Sequence, residues 1–180
     1  ATDGAGHPVM RFDALADRSG YRVMRRASGA TGWTFVMEAR GDLLRSRSPD
    51  FYVIGPGPGP NQVYVFARRE GQDRGAIYLY DTDSGSYGDL VYASGEADVS
   101  SLWVNPGTRE VIGGCTYAQR FVCEARAPAV QRHMNALNAF FQGGATVSLV
   151  DMSVDASKWL LRVESPTEAA GYFLYDVSRR

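Results

Sequence analysis

Cysteine and histidine are scarce in this sequence, two of each in 180 residues. A structural zinc site takes four ligands drawn mostly from these two residue types. Cys115 and Cys123, with no histidine near them, do not supply one, and no metal site is expected. The same scarcity weighs against a catalytic triad, which needs a histidine base. His7 lies in the N-terminal segment, and His133 sits at the edge of a helical apolar face beside Phe140. A second absence sharpens the point. No serine has a glycine two residues before it, so the Gly-x-Ser-x-Gly turn that exposes the nucleophile of α/β-hydrolases is missing. No catalytic residue is assigned.

Charge of one sign is also lacking. Lys plus Arg number 19 against 20 for Asp plus Glu, a net charge of −1. Nothing there steers the chain toward nucleic acid or an anionic membrane surface. No apolar run approaches the ~20 residues of a membrane helix, so no membrane span is expected. The opening Ala1-Thr2-Asp3-Gly4-Ala5-Gly6 has neither the basic region nor the apolar stretch of a signal peptide. It also lacks an initiator Met, and the sequence is read as a processed or excised piece of a longer protein. No cofactor motif is present. Gly55 to Pro60 has the glycines of a phosphate loop, but Pro56, Pro58 and Pro60 remove alternate N–H donors and a strand follows where a helix is needed. It reads as a long hairpin turn.

What the sequence does have is glycine (20), tyrosine (10) and phenylalanine (8), the composition of short strands joined by tight turns. A four-residue phrase recurs: Phe35-Val36-Met37-Glu38, Tyr78-Leu79-Tyr80-Asp81, Phe121-Val122-Cys123-Glu124 and Phe173-Leu174-Tyr175-Asp176. Each reads aromatic, aliphatic, variable, acidic, at steps of 43, 43 and 52 residues. A four-stranded propeller blade takes ~40–50 residues. Each period opens with an apolar strand: Val9 to Phe12, Phe51 to Ile54, Val99 to Val104, and Thr146 to Met152. A turn signal follows each: Asp17-Arg18-Ser19-Gly20, Pro56 to Asn61, Asn105-Pro106-Gly107-Thr108 and Asp155-Ala156-Ser157. A second strand and then the phrase complete three strands. A fourth runs from Tyr87 to Tyr92 in the second period, with Leu43-Leu44 as its weaker counterpart in the first.

The third period departs from this pattern. Val130, Met134, Leu137 and Phe141 share one helical face, Pro128 suits the first turn and Gly143-Gly144 ends it, which predicts a helix over about 128–141. It is read as covering or replacing the outer strand there. The expected fold is therefore all-β, a partial β-propeller of about four consecutive four-stranded blades (about 7–48, 49–95, 96–144 and 145–180) with one inserted helix. About fourteen strands are expected, with the phrase as third strand of every blade and its four aromatics in equivalent environments.

The phrase acids Glu38, Asp81, Glu124 and Asp176 are read as strand-end acceptors for turn N–H groups, since equivalent repeat positions do not pair. Trp33, Trp103 and Trp159 are read as core residues. Cys115 and Cys123 flank a hairpin around Ala118-Gln119-Arg120. A three-residue loop sets them opposite each other, close enough for a disulfide; a two-residue loop separates them.

From Phe51 to Asp176 the sequence resembles the propeller part of the prolyl oligopeptidase family of serine peptidases, in its acylaminoacyl-peptidase and dipeptidyl-aminopeptidase-like branch. The resemblance rests on Gly75-Ala76-Ile77-Tyr78-Leu79-Tyr80-Asp81 with Ser84-Gly85, on Asp98 to Pro106, on the helix, and on Gly171 to Asp176. It implies a propeller that restricts peptide access to a Ser-Asp-His site on an α/β-hydrolase domain of the same parent chain. None of those catalytic residues matches a position here. The family usually has seven blades, of which this chain would carry the later ones. Together with the candidate disulfide it implies a periplasmic or secreted location. The alternative reading is a free-standing propeller-like module that binds a protein partner. The end blades are expected to expose apolar faces, through Val9, Met10 and Phe12 at one end and Val147, Leu149, Trp159 and Leu161 at the other, and to self-associate there, most simply as a two-fold dimer; the alternative is that four blades close on themselves.

Overall fold

The computed structural model describes residues 1–41, 50–118, 121–141, 144–167 and 169–179. Thirteen strands and one helix lie among them, in four antiparallel sheets. The first sheet is β1 (Met10–Ala14), β2 (Gly20–Arg25) and β3 (Thr34–Arg40). The second is β4 (Phe51–Pro56), β5 (Gln62–Ala67), β6 (Ala76–Asp81) and β7 (Ser86–Tyr92). The third is β8 (Val99–Val104), β9 (Val111–Tyr117) and β10 (Phe121–Ala125). Helix α1 (Pro128–Phe140) follows, and then β11 (Thr146–Met152), β12 (Lys158–Glu164) and β13 (Gly171–Asp176) form the fourth. Every strand pairs only with a neighbour in sequence. The phrase occupies the third strand of all four sheets. Leu43-Leu44, expected as an outer strand, lies outside the described residues.

The hairpin joining first and second strands is built the same way four times. Leu15 N–H donates to Gly20 O, Gly57 to Gln62, Asn105 to Glu110 and Ser153 to Lys158, each reaching five residues ahead. Short polar side chains hold the turns. Asp17 Oδ1 accepts from the Ser19 N–H and hydroxyl at 3.0 and 2.7 Å. Asp155 Oδ1 accepts from the same two groups of Ser157 at 3.1 and 2.9 Å. Asn105 Oδ1 accepts from Gly107 and Thr108 at 2.8 and 3.1 Å. The closing residues Arg18, Arg109 and Ala156 have φ of 57°, 59° and 56°. Their left-handed conformation is held by those side-chain bonds, since no glycine stands there. The second and fourth sheets match further: each has a register shift in its first strand pair, between Val53 and Gly55 and between Leu149 and Asp151, at the same distance before the hairpin.

These turns make one end of the fourth sheet acid-sensitive. Hydrogen bonds from Ser153 and then Ser157 hold the Asp155 carboxyl at about 2, against 3.8 for a free aspartate. Lys158 and Ser178 hold Asp176 well below its usual range. A carboxyl depressed on folding contributes stability above its unfolded value and loses it as pH falls through its folded value. Thermal unfolding is thus expected to shift to lower temperature between about pH 4 and pH 2, and Asp155→Asn is expected to flatten that slope. An unchanged slope in the variant, measured by scanning calorimetry, would remove Asp155 from the account.

The chain divides into two compact units, Ala1–Val99 and Ser100–Arg180. In the first, the inner faces of the first two sheets meet. Met10, Val23 and Ala39 pack with Phe51, Val63, Val65, Tyr78 and Tyr80. The Arg25 guanidinium reaches between the sheets to the carbonyls of Thr82 and Asp83, at 2.7 and 2.6 Å. In the second unit, Trp103 and Cys115 of the third sheet and Val147, Leu149, Trp159 and Leu161 of the fourth enclose Met134 and Leu137 of α1.

Two expectations are corrected by this packing. The apolar residues assigned to bare end faces are inside: Val9, Met10, Val147, Leu149, Trp159 and Leu161 are all buried, and Phe12 packs on the first core. Their side chains pack inside their own unit, so they form no bare apolar face. Nor are the four phrase aromatics equivalent. Tyr78 is 3% exposed, Phe173 44% and Phe35 54%. The β2–β3 register slips at Val36, which turns Phe35 to the face opposite Met37. Phe121 stands opposite Tyr117 at the start of its hairpin arm, whereas Tyr78 and Phe173 stand mid-strand opposite Val65 and Leu161.

Candidate binding groove beside the helix

Helix α1 begins where Ala127, with extended backbone, precedes Pro128 at the first helical position. Pro lacks an N–H where none is needed. Its start is tied to the edge strand β10: Gln131 Oε1 accepts from the Ala125 N–H at 2.7 Å, and Gln131 Nε2 donates to Asn135 Oδ1 at 2.7 Å. The apolar stripe read from the sequence faces inward, with Met134 and Leu137 buried and Val130 and Phe141 packed against the core. Phe140 lies off that stripe and is 77% exposed.

An open groove of about 620 Å³ lies between this helix and β13, lined by Arg132, His133, Leu137, Phe140, Phe173 and Tyr175 among others. At one side the His133 ring rests edge-on to Trp159 and Tyr175, with centroids 5.5 and 5.6 Å away. Its Nδ1 lies 2.7 Å from the Tyr175 hydroxyl. Phe141 and Phe173 meet at the other side, 4.9 Å between centroids. The described lining contains no serine, threonine, cysteine or carboxylate. An imidazole and a phenol bonded to each other, with no nucleophile beside them, do not make an acyl-transfer site. An apolar groove rimmed by a few polar groups suits binding.

The other residues singled out in the sequence have structural places. His7 Nδ1 lies 3.3 Å from Asp3 Oδ2, and Asp3 also accepts the N–H groups of Ala5 and His7. The Gly55–Pro60 stretch is the end of β4 and the β4–β5 turn, with Gly59 N–H bound to the Gln62 side chain and Gly57 N–H to its carbonyl. Asp81 and Asp176 cap turns: Asp81 Oδ1 accepts from Asp83 and Ser84 N–H, and Asp176 Oδ1 from Ser178 N–H. Glu38 instead pairs with Arg40 and Arg22, on its own strand and across from it. Trp103 and Trp159 are buried, while Trp33 lies under the guanidinium groups of Arg11 and Arg26. Cys115 stands directly opposite Cys123 on β9 and β10, 4.0 Å apart at Cα, and the two form a disulfide. Among the described residues no cluster of three or more histidine, cysteine or acidic side chains could hold a metal ion. No helix there is long and apolar enough to cross a membrane.

The groove itself was not read from the sequence. Its one signal was Phe140, an aromatic residue outside the helix's buried stripe. Compared with family models, curated proteins and solved structures, the chain matches none.

Proposed function

We propose that the chain is a non-catalytic stretch of β-propeller belonging to a prolyl-oligopeptidase-like serine peptidase, where it scaffolds an α/β-hydrolase domain and restricts peptide access to it. The observation that carries this reading is the fourfold repetition. Four consecutive antiparallel sheets have the same hairpin, closed by a bond to the fifth residue ahead, and the same phrase in the third strand. Consecutive meander sheets of this size, packed face to face in pairs, are what propeller blades are made of. A hydrolase of the α/β type would instead need alternating strands and helices around a parallel sheet.

The scaffold role follows from chemistry that is missing together with surface that is present. No serine, threonine or cysteine is among the described residues that line the groove, and the disulfide engages both cysteines. The homogeneous chain is therefore expected to leave ester and peptide substrates untouched. In the full reading frame that contains it, a fluorophosphonate probe is expected to label a serine outside residues 1–180, within Gly-x-Ser-x-Gly. Turnover by the 180-residue chain alone would end the non-catalytic reading. A reading frame without any hydrolase sequence would end the peptidase assignment and favour a free-standing protein-binding module.

A further inference from the structure

We propose that the outer edge of β13 and the groove beside it form a docking site for one added peptide strand, antiparallel to β13, that inserts an aromatic side chain into the groove. The inference stands on the internal repeat and not on the peptidase assignment.

The second and fourth sheets are built in register. Asp81 pairs with Gln62 and Tyr78 with Val65 on β5; Asp176 pairs with Lys158 and Phe173 with Leu161 on β12. The strands β6 and β13 are thus counterparts. On the outer side of β6 lies β7, with Ser86 opposite Asp81, Tyr87 opposite Tyr80 and Leu90 opposite Tyr78. On the outer side of β13 no strand is paired among the described residues.

The second sheet displays what an added strand does there. Tyr87 of β7 inserts its ring among Phe51, Tyr78 and Tyr80, at centroid distances of 6.4, 5.5 and 5.5 Å, and the Arg69 guanidinium lies over it at 5.1 Å. The corresponding position in the fourth sheet is beside Tyr175 and Phe173. That is the groove, with Arg132 and His133 on its rim. Burial records the difference. Tyr78, next to β7, is 3% exposed; its counterpart Phe173 is 44% and the neighbouring Leu174 70%.

Edge strands are usually blunted by proline, lysine, a bulge or a cover, because their free N–H and C=O groups recruit other strands. β13 reads Gly-Tyr-Phe-Leu-Tyr-Asp and pairs with β12 without a register shift. It carries no proline, lysine or bulge, and among the described residues no strand covers its edge. Strand addition gives affinity through backbone bonds and selectivity through alternate side-chain pockets. The pocket here selects a strand with a tyrosine-like ring opposite Tyr175 and a branched apolar residue opposite Phe173.

The test uses the whole chain and a fluorescent peptide copying Gly85–Tyr92, titrated by polarisation. Saturable binding is expected, with amide shifts confined to β13 and the helix. Tyr87→Ala in the peptide and Phe140→Asp in the chain are each expected to weaken it by roughly tenfold or more. Phe140 is mostly exposed, so its replacement leaves the core intact; Val154→Asp, at an exposed turn position, serves as the control and is expected to change nothing. No saturable binding up to roughly millimolar peptide, or binding indifferent to Phe140→Asp, overturns the proposal. A dimer formed through β13 that excludes the peptide also overturns it, because a second copy then holds the edge.

Discussion

Replacing Trp159 by alanine is expected to unfold most of the second unit while leaving the first intact. Trp159 is 3% exposed and sits at the centre of the second core. Its Nε1 donates to the Ala156 carbonyl at 3.0 Å, which ties the ring to the β11–β12 turn. The rings of His133 and Tyr175 rest against it. Truncation removes a large apolar area, leaves a cavity that the sheets cannot close over, and frees a turn carbonyl. Buried Trp→Ala changes cost about 3–5 kcal/mol. Small domains have only ~5–15 kcal/mol in all. Amide exchange is the measurement of choice: protection is expected to drop across β11, β12 and β13 and to persist in β5 and β6. Trp33→Ala, at a partly buried ring outside both cores, is expected to cost under about 1 kcal/mol. Equal effects at the two tryptophans would mean that the core is misassigned.

Gly75→Ala is expected to destabilise the first unit by about 1–3 kcal/mol or more, through overpacking and not through backbone strain. A Cβ at Gly75 would stand 1.8 Å from Phe66 Cζ and 2.3 Å from Cε2. Phe66 has no room to retreat: it is 2% exposed and stacked on Tyr52, 4.7 Å between centroids. Gly75 cannot shift either. Its N–H is bound by Asp98 Oδ1 at 2.6 Å, and its carbonyl accepts from Val99 at 3.2 Å. Gly55 offers the contrast, since a Cβ there meets nothing within 4 Å. Urea midpoints for the two alanine variants are expected to separate clearly, and Phe66→Leu is expected to recover part of the Gly75→Ala loss. A Gly75→Ala midpoint equal to that of Gly55→Ala would refute the steric account.

Much of the local architecture was legible in the sequence because it is encoded locally. The phrase strands, the turn residues Asp17, Asn105 and Asp155, and a helix expected at about 128–141 and found at Pro128–Phe140 all depend on neighbours within a few residues. The facing of Cys115 and Cys123 depended only on the length of one hairpin loop. What depends on packing between sheets was not legible. The apolar alternation of β11 and β12 marks a face for burial but does not say which surface covers it. Those residues were therefore placed in water, and they are inside. Phe35 failed for a different reason. A single extra residue at Val36 reverses its face, and nothing in Phe-Val-Met-Glu marks a bulge. The groove escaped notice because its parts, His133 and Tyr175, are 42 residues apart and meet only when helix and sheet pack.

The pairing of every strand with its neighbour in sequence also bears on how quickly the chain reaches its fold. Chains whose contacts are close in sequence lose little loop entropy before each contact forms, and they fold faster than β proteins with distant pairings. Each sheet here can zip from its own hairpin turn, with the Asp and Asn side chains already in place to close it. The slow step is then the meeting of sheet faces around Tyr80 in one unit and Trp159 in the other. Substitutions at those two buried rings are therefore expected to slow folding, as are substitutions that weaken the hairpin turns formed before them.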